Sequence, residues 1–406
     1  MHVILVAPHF PANQRQFARA LKQVGAYVTG IGEASANHLD GELRSWLDAY
    51  EQVPSVVSEE ALLGAVRRIQ RRGWVDRLEA TIESHIIATA NVREQTGIPG
   101  LSTQNAWLCR DKPSMKAFLR DNGIPCALSD GVDTVEAAKA FAAKVGYPLI
   151  LKPRAAAGAL DTSRVDNDLE LERTGRAMGL DRGASIGIEE FIEGHEGFYD
   201  TLTIRGEVQL EFISHYYPGV LDAMRDRSIQ PYLLTTNRIH SAGYNDLKAL
   251  GRKVIQTMGL GTCATHMEWF YGPRGLKFSE IGARPPGVGT WDLYCAANGF
   301  DLYRQWAMSV VHGKLDDQPS RQFAAGMIAL RPDRDGHIIG YEGADTVQRQ
   351  LGKWIIDVHL PPIGARTQPI EAGYMANAWM RMRHPDYDSL RQMLEYVGQT
   401  LKVRAR

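Results

Sequence analysis

The strongest constraint on the fold is a segment past the middle of the chain that reads THMEWFYGPRGLKFSEIGARPPG, residues 265–287. Two short apolar stretches flank a Gly-Pro-Arg-Gly turn, a pattern that predicts an antiparallel β-hairpin. With residues 273–275 as the loop, Glu268 faces Glu280. Directly opposed side chains share one face of a β-ladder, with Cβ atoms about 4.5–5.5 Å apart. The pattern therefore predicts two carboxylates side by side in an apolar setting.

Two opposed carboxylates repel each other unless positive charge lies between them. A neighbouring arginine or lysine, or an exposed position at a sheet edge, is one explanation. A hard cation such as Mg²⁺ is another, because it takes oxygen ligands and binds one or two carboxylates when phosphates supply the others. A shift of one residue in register would instead send the two acids to opposite faces. The cation is favoured if the chain also offers a phosphate site.

Candidate phosphate-binding residues precede the hairpin. Lys152 ends the apolar strand YPLILKP and leads into RAAAGALDTSRV, a loop of small residues that contains Gly158. Small side chains let backbone N–H groups approach phosphate oxygens, and a lysine supplies the charge. Lys112 starts a predicted helix that Asp111 caps, and a helix N-terminus favours anions. Each feature alone is also typical of a strand end or an ordinary surface lysine.

The segment IEEFIEGHE contains candidate contacts for a nucleoside. An apolar strand ends in Glu189 and Glu190 and passes into a short linker that holds Ile192 and Glu196. A strand edge with a carboxylate can accept from an adenine amino group, and a second carboxylate can accept from ribose hydroxyls. A solvated acidic loop is the alternative interpretation.

Charge and composition narrow the class of protein. The formal net charge is −1 over 406 residues, which provides no general attraction for nucleic acid or anionic membranes. The sequence has no apolar run as long as a membrane span, and its four scattered cysteines favour reduced thiols. We therefore expect a cytoplasmic protein with neither nucleic-acid nor membrane partners.

In chain order the motifs are D-K-P, L-K-P with its loop of small residues, E-E-F-I-E-G-x-E, and finally two glutamates followed by A-R-P. This order resembles the ATP-grasp superfamily, and within it the biotin-carboxylase-like branch that includes L-amino-acid ligases. The resemblance implies ATP and Mg²⁺ as cofactors, with two ions expected and Mn²⁺ as an alternative. The ATP-binding residues that it implies are Lys112, Lys152, Gly158, Glu189, Glu190, Ile192 and Glu196. Glu268 and Glu280 would bind the metal, and Arg284 would be the catalytic residue that reaches the reacting phosphoryl or carboxylate group.

The opening HVILVAP, NQRQFARALKQVGA and YVTGIG predicts a β-α-β unit with a parallel sheet, although the first turn lacks G-x-G-x-x-G. With the resemblance, we predict a mixed α/β and α+β fold in three parts. Residues 1–103 form a Rossmann-like parallel α/β domain. Residues 104–314 form an ATP-grasp module of two α+β subdomains, the smaller and mobile one at about 127–195. Residues 315–406 form a C-terminal α+β domain.

The function that the resemblance implies is ATP-dependent ligation of a small-molecule carboxylate to an amine through an acyl phosphate, and it allows a homodimer. A ligase acting on a phosphorylated ribose and a non-catalytic ATP-binding scaffold remain alternatives. Biotin carboxylation is disfavoured, because Val288 stands where those enzymes carry a catalytic glutamate. Gly282 stands where relatives often carry a metal-binding asparagine. Candidate substrate-binding residues are His215, Tyr216, Arg225, Arg227 and His266.

Overall fold

The computed structural model describes residues 1–154, 161–373 and 377–406. The predicted phosphate-loop residue Gly158 lies outside these ranges. In the parts of the chain that are described, no helix has both the length and the apolar character needed to cross a bilayer.

The N-terminal part is a parallel sheet with strand order β3-β2-β1-β4, as the β-α-β pattern predicts. Its first strand is buried almost throughout, which is typical of a parallel strand covered on both faces. The elements are β1 (His2–Val6), α1 (Arg15–Gln23), β2 (Tyr27–Gly32), α2 (Gly41–Trp46), β3 (Ala49–Gln52), α3 (Glu59–Gln70), β4 (Arg77–Glu79) and α4 (Ile86–Thr96).

A smaller antiparallel sheet follows, with strand order β5-β8-β6-β7. Asp111 caps the helix that leads into it by accepting a hydrogen bond from the backbone N–H of Ser114, as the sequence predicts. The elements are α5 (Thr103–Leu108), α6 (Lys112–Asp121), β5 (Ser129–Val132), α7 (Val135–Val145), β6 (Leu149–Pro153), β7 (Ser163–Val165), α8 (Asp168–Ala177) and β8 (Ile186–Glu190).

The remaining chain is built around one large antiparallel sheet, with strand order β13-β12-β9-β10-β11-β14-β17-β16, beside a β15–β18 pair. Its elements are β9 (His195–Ile204), β10 (Glu207–Tyr217), α9 (Val220–Ala223), β11 (Tyr232–Thr235), α10 (Asn245–Thr257), β12 (Ala264–Gly272), β13 (Gly275–Gly282), α11 (Thr290–Asn298), α12 (Leu302–His312), β14 (Ala324–Leu330), β15 (Ile338–Glu342), α13 (Ala344–Leu351), β16 (Ile355–His359), β17 (Ala378–His384), α14 (Tyr387–Thr400) and β18 (Lys402–Ala405). Residues 315–406 thus add strands to the same sheet as the hairpin, and the domain boundaries stay a prediction.

The β12–β13 hairpin differs from the prediction in its turn. The predicted loop of residues 273–275 is wrong, because Gly272 pairs with Gly275 across a two-residue turn. A regular ladder from that turn would place Ser279 opposite Glu268. A β-bulge adds one residue to β13, however, and Glu268 faces Glu280 as predicted.

The two faces of the large sheet have different environments. Glu196, Phe198 and Asp200 of β9 pair with Phe270, Glu268 and His266 of β12, and these six side chains lie on one face. That face continues into a core shared with α1, α11 and α12. The opposite face packs against α6 and α10. Because successive side chains of a strand point to opposite faces, only polar side chains on the same face can meet.

Candidate active site

A cleft lies between the smaller sheet and the face of the large sheet that carries Glu196, Asp200 and Glu268, which we call the acidic face. It is bounded by the start of α6, the end of β6, the β8–β9 linker, α9 and the β12–β13 hairpin. Most of the predicted nucleotide- and metal-binding residues line it, namely Lys112, Lys152, Glu189, Glu190, Ile192, Glu196, Glu268 and Glu280. Side chains separated by up to 168 positions in sequence, from Lys112 to Glu280, thus converge on one space.

One of the two facing glutamates, Glu280, contacts a lysine side chain in this cleft. The Lys112 Nζ lies 3.1 Å from the Glu280 Oε2. Burial opposes ionisation of Glu280, but Lys112 and Lys152 overcome this effect and lower its pKa. The carboxylate is therefore charged at neutral pH. Two facing carboxylates give the hard oxygen donors that Mg²⁺ prefers, so the side chains present fit that ion.

A buried cluster of two lysines and one glutamate supports the floor of the cleft. The Lys152 Nζ donates to the Glu189 Oε1 at 2.6 Å, and Lys116 pairs with the other carboxylate oxygen. Burial alone would raise the pKa of Glu189, but the two lysines lower it to about 2. Lys116, whose side chain is 1% exposed, was not predicted from the sequence. Its spacing of four residues from Lys112 on α6 places both on one helix face, which is the signal that could have identified it.

Glu196 connects the cleft to α9. It lies in strand β9, so the prediction that it belongs to the linker is wrong. Its Oε2 accepts a hydrogen bond of 2.6 Å from the backbone N–H of Val220. Burial, together with the nearby charges of Glu268 and Glu280, raises the pKa of Glu196 to about 8. This bond fixes the start of the segment that joins β10 to β11, residues 218–231, to the wall of the cleft.

The β8–β9 linker is held against the hairpin tip. Arg274 pairs with Glu190 and also donates to the backbone oxygen of Phe191 at 3.1 Å. A Cβ added to Gly272 would lie 2.0 Å from the backbone oxygen of Glu193, so only glycine permits this close approach.

Arg284 follows the hairpin and reaches the N-terminal sheet. Its Nε and Nη2 both lie 2.7 Å from the Glu83 Oε2, and Arg110 also pairs with Glu83. Burial disfavours the charge of Arg284, but Glu83 raises its pKa. Glu83 was not predicted from the sequence. It follows β4 at the carboxyl edge of a parallel sheet, where ligand-binding side chains commonly gather, and that position could have identified it.

The candidate substrate-binding residues separate into two groups. Tyr216 and His266 lie on the acidic face, and the centroids of their rings lie 5.0 and 5.1 Å from the ring centroid of Phe198. His215 lies on the opposite face, with its Nε2 2.8 Å from the hydroxyl of Tyr244. The structure does not bring His215 into the cleft, and we remove it from the candidate set.

The two candidate arginines belong to the loop that follows α9. Arg225 is exposed, and Arg227 pairs with Asp335 at 2.7 Å. The Arg227 contact directs that side chain towards the C-terminal part of the chain. Neither arginine is among the residues that line the cleft.

Comparison with known proteins agrees with this architecture. Residues 111–195 match the family described as carbamoyl-phosphate synthase L chain, ATP binding domain. The L-arginine-specific L-amino acid ligase of Bacillus subtilis is 30% identical over 251 residues, which are 60% of each chain. The chain therefore spans less than two thirds of that relative.

Two solved structures cover nearly the whole chain. The L-amino acid ligase from Bacillus licheniformis superposes with a TM-score of 0.76 at 18% identity, covering 100% of this chain and 98% of that one. N5-carboxyaminoimidazole ribonucleotide synthetase from Thermotoga maritima gives 0.70 at 15% identity, covering 100% and 99%. Both likenesses concern the fold.

The fold and the family match agree with the ATP-grasp architecture that the sequence predicts. The chain is similar in sequence to the L-arginine-specific L-amino acid ligase and in fold to the L-amino acid ligase from Bacillus licheniformis.

Proposed function

We propose that the protein is an ATP-dependent ligase that joins a small-molecule carboxylate to an amine and releases ADP and phosphate. The observation that supports this most strongly is the convergence of Lys112, Lys152, Glu268 and Glu280 on one cleft. Similarity to an L-amino acid ligase supports the same class of reaction. The homodimer that the resemblance allows stays a prediction.

In this proposal the cleft binds ATP through its lysines and its linker. Lys112 and Lys152 neutralise the phosphates, Glu190 and Ile192 border the adenine, and Glu196 binds the ribose hydroxyls. Glu189 has another role, because both of its oxygens already accept from buried lysines. It holds Lys152 in place for the phosphates.

Glu268 and Glu280 would hold Mg²⁺, with two ions expected and Mn²⁺ as an alternative. Bound Mg²⁺ would neutralise the charge that develops on the phosphoryl oxygens. Gly282 has no side chain to add a ligand, and a Cβ there would lie 3.4 Å from the Arg284 Cγ. The arginine side chain thus borders the space that an asparagine would need.

Positioning and charge neutralisation are sufficient for the proposed chemistry. A carboxylate oxygen of the substrate bonds to the γ-phosphorus of ATP while the bond to the bridging oxygen breaks, which gives ADP and an acyl phosphate. The amine nitrogen then bonds to the carbonyl carbon, the bond from that carbon to the phosphate oxygen breaks, and the proton that the nitrogen loses goes to the released phosphate or to water. Arg284 suits both steps because its planar guanidinium matches carboxylate and phosphate oxygens. Glu83 fixes that guanidinium from the N-terminal sheet.

Mg²⁺ and ATP together are expected to raise the melting temperature of the protein, whereas either alone raises it less. A ligand that binds only the folded state stabilises it by mass action, by about 2.7 kcal/mol at a hundred times its dissociation constant. Differential scanning fluorimetry measures the shift, with Mg²⁺ plus AMP as the control for a missing triphosphate. Equal melting temperatures with and without Mg²⁺ and ATP would remove the nucleotide part of the proposal.

A panel of acid and amine pairs is expected to contain at least one pair that releases phosphate from ATP in an enzyme-dependent way. The panel contains proteinogenic amino acids in all pairs, and an amine attached to a phosphorylated ribose for the rival reaction. Product mass identifies the amide. Phosphate release only with the ribose compound would favour the ligase that acts on a phosphorylated ribose. If MgATP binds but no pair in the panel causes phosphate release, a non-catalytic scaffold would be favoured.

A further inference from the structure

A buried histidine lies beside one of the proposed metal-binding glutamates. His266 precedes Glu268 by two residues on β12, so both side chains lie on the acidic face. The His266 Nε2 lies 3.8 Å from the Glu268 Oε1. The residue paired with His266 on β13 is Gly282, which has no side chain to press on the imidazole.

The orientation of the imidazole is fixed by Asp200, which contacts the ring nitrogen that does not face Glu268. Its Nδ1 lies 2.6 Å from the Asp200 Oδ1, and the Asp200 side chain is 2% exposed. The other oxygen of Asp200 accepts from the hydroxyl of Tyr294, on α11. A carboxylate that holds one ring nitrogen of a histidine fixes the direction of the other. Here the other nitrogen points towards Glu268.

The separation of 3.8 Å is longer than a direct hydrogen bond. The imidazole therefore lies against the Glu268 carboxylate without occupying the lone pairs that a metal ion needs. On the other side, Glu280 is drawn towards Lys112. Each of the two facing acids thus has its own support.

We infer that Asp200 and His266 position the Glu268 carboxylate for metal binding, and that Tyr294 holds Asp200 in turn. This inference rests on the proposed function, because it assumes that Glu268 binds Mg²⁺. His266 and Asp200 are positioning residues: they act through Glu268, and the loss of either weakens metal binding without removing a ligand.

His266→Gln and Asp200→Asn are expected to raise the Mg²⁺ concentration for half-maximal stabilisation by ATP by about tenfold or more, as is usual when the support of a metal ligand is lost. The ATP concentration for half-maximal stabilisation in the absence of a divalent ion is expected to stay within about twofold of that of the unchanged protein. Mn²⁺ binding measured by electron paramagnetic resonance provides a second readout without turnover. His215→Gln is the matched control, because His215 and His266 are both 8% exposed and lie on opposite faces of the sheet. It should retain the metal affinity of the unchanged protein.

Metal affinity in His266→Gln that equals or exceeds that of the unchanged protein would overturn the inference. If the unchanged protein shows no stabilisation by Mg²⁺ and ATP, the proposed function fails instead. If His266→Gln does not fold, Asp200→Asn and Tyr294→Phe decide the question, because both keep the imidazole. Tyr294→Phe is expected to weaken metal binding less than Asp200→Asn, and unchanged affinity in both would overturn the inference.

Discussion

Replacing Glu280 with glutamine is expected to lower ADP release by at least about a hundredfold while the protein stays folded. The amide has the shape of the carboxylate but not its charge. It therefore loses both the proposed metal contact and the ion pair with Lys112. Loss of a single group that stabilises developing charge typically costs about 10²–10³-fold in turnover, and loss of a metal ligand is expected to cost at least as much.

Turnover of the Glu280→Gln protein is measured as ADP release with the best substrate pair from the panel, and folding by circular dichroism. Glu207→Gln is the control, because Glu207 is an exposed glutamate on β10 of the same sheet. It should retain full activity. Turnover in Glu280→Gln equal to that of this control would show that the metal site is wrongly assigned.

Glu189→Gln is expected to lower the free energy of unfolding by about 3–5 kcal/mol, because it leaves buried lysines without a counter-charge. Lys116 and Lys152 both donate to Glu189, and their side chains are 1% and 10% exposed. Urea unfolding followed by fluorescence gives the difference. Glu172→Gln removes a partly exposed glutamate that pairs with Lys139, so it should cost far less. Equal losses in the two variants would contradict the role of burial.

The same glutamate gives the stability a defined pH dependence. The pKa of Glu189 is lowered from an ordinary value of 4.5 to about 2 in the folded protein. A group whose pKa falls on folding stabilises the protein above its unfolded pKa. This contribution is therefore complete above pH 4.5 and is lost as the pH falls towards 2. The unfolding free energy of Glu189→Gln should depend less steeply on pH in that window.

The sequence was sufficient to predict the local elements and the order of the motifs. The parallel N-terminal sheet and the capped helix α6 are both confirmed. Each depends on residues close together in the chain, such as the Asp111 cap or an apolar run. Long-range pairing is different, because Glu83 and Arg284 are joined only when the N-terminal sheet docks against the hairpin.

An irregular ladder decides which face of the large sheet carries His215. A regular ladder from the turn at residues 205–206 would pair His215 with Glu196, inside the cleft. A bulge between Val208 and Leu210 shifts the register, and His215 pairs with Gly197 instead. One extra residue thus moves the imidazole to the other face. No sequence signal in EVQLEF identifies that bulge.

The bulge in the β12–β13 hairpin also limits how such chains can change in length. The short turn and the additional residue at position 279 compensate for each other, and only their sum keeps Glu268 opposite Glu280. A lengthened turn preserves the acidic pair when β13 loses one residue at the same time. Insertions and deletions in this ribbon are therefore expected to occur as matched pairs among homologues that keep both acids.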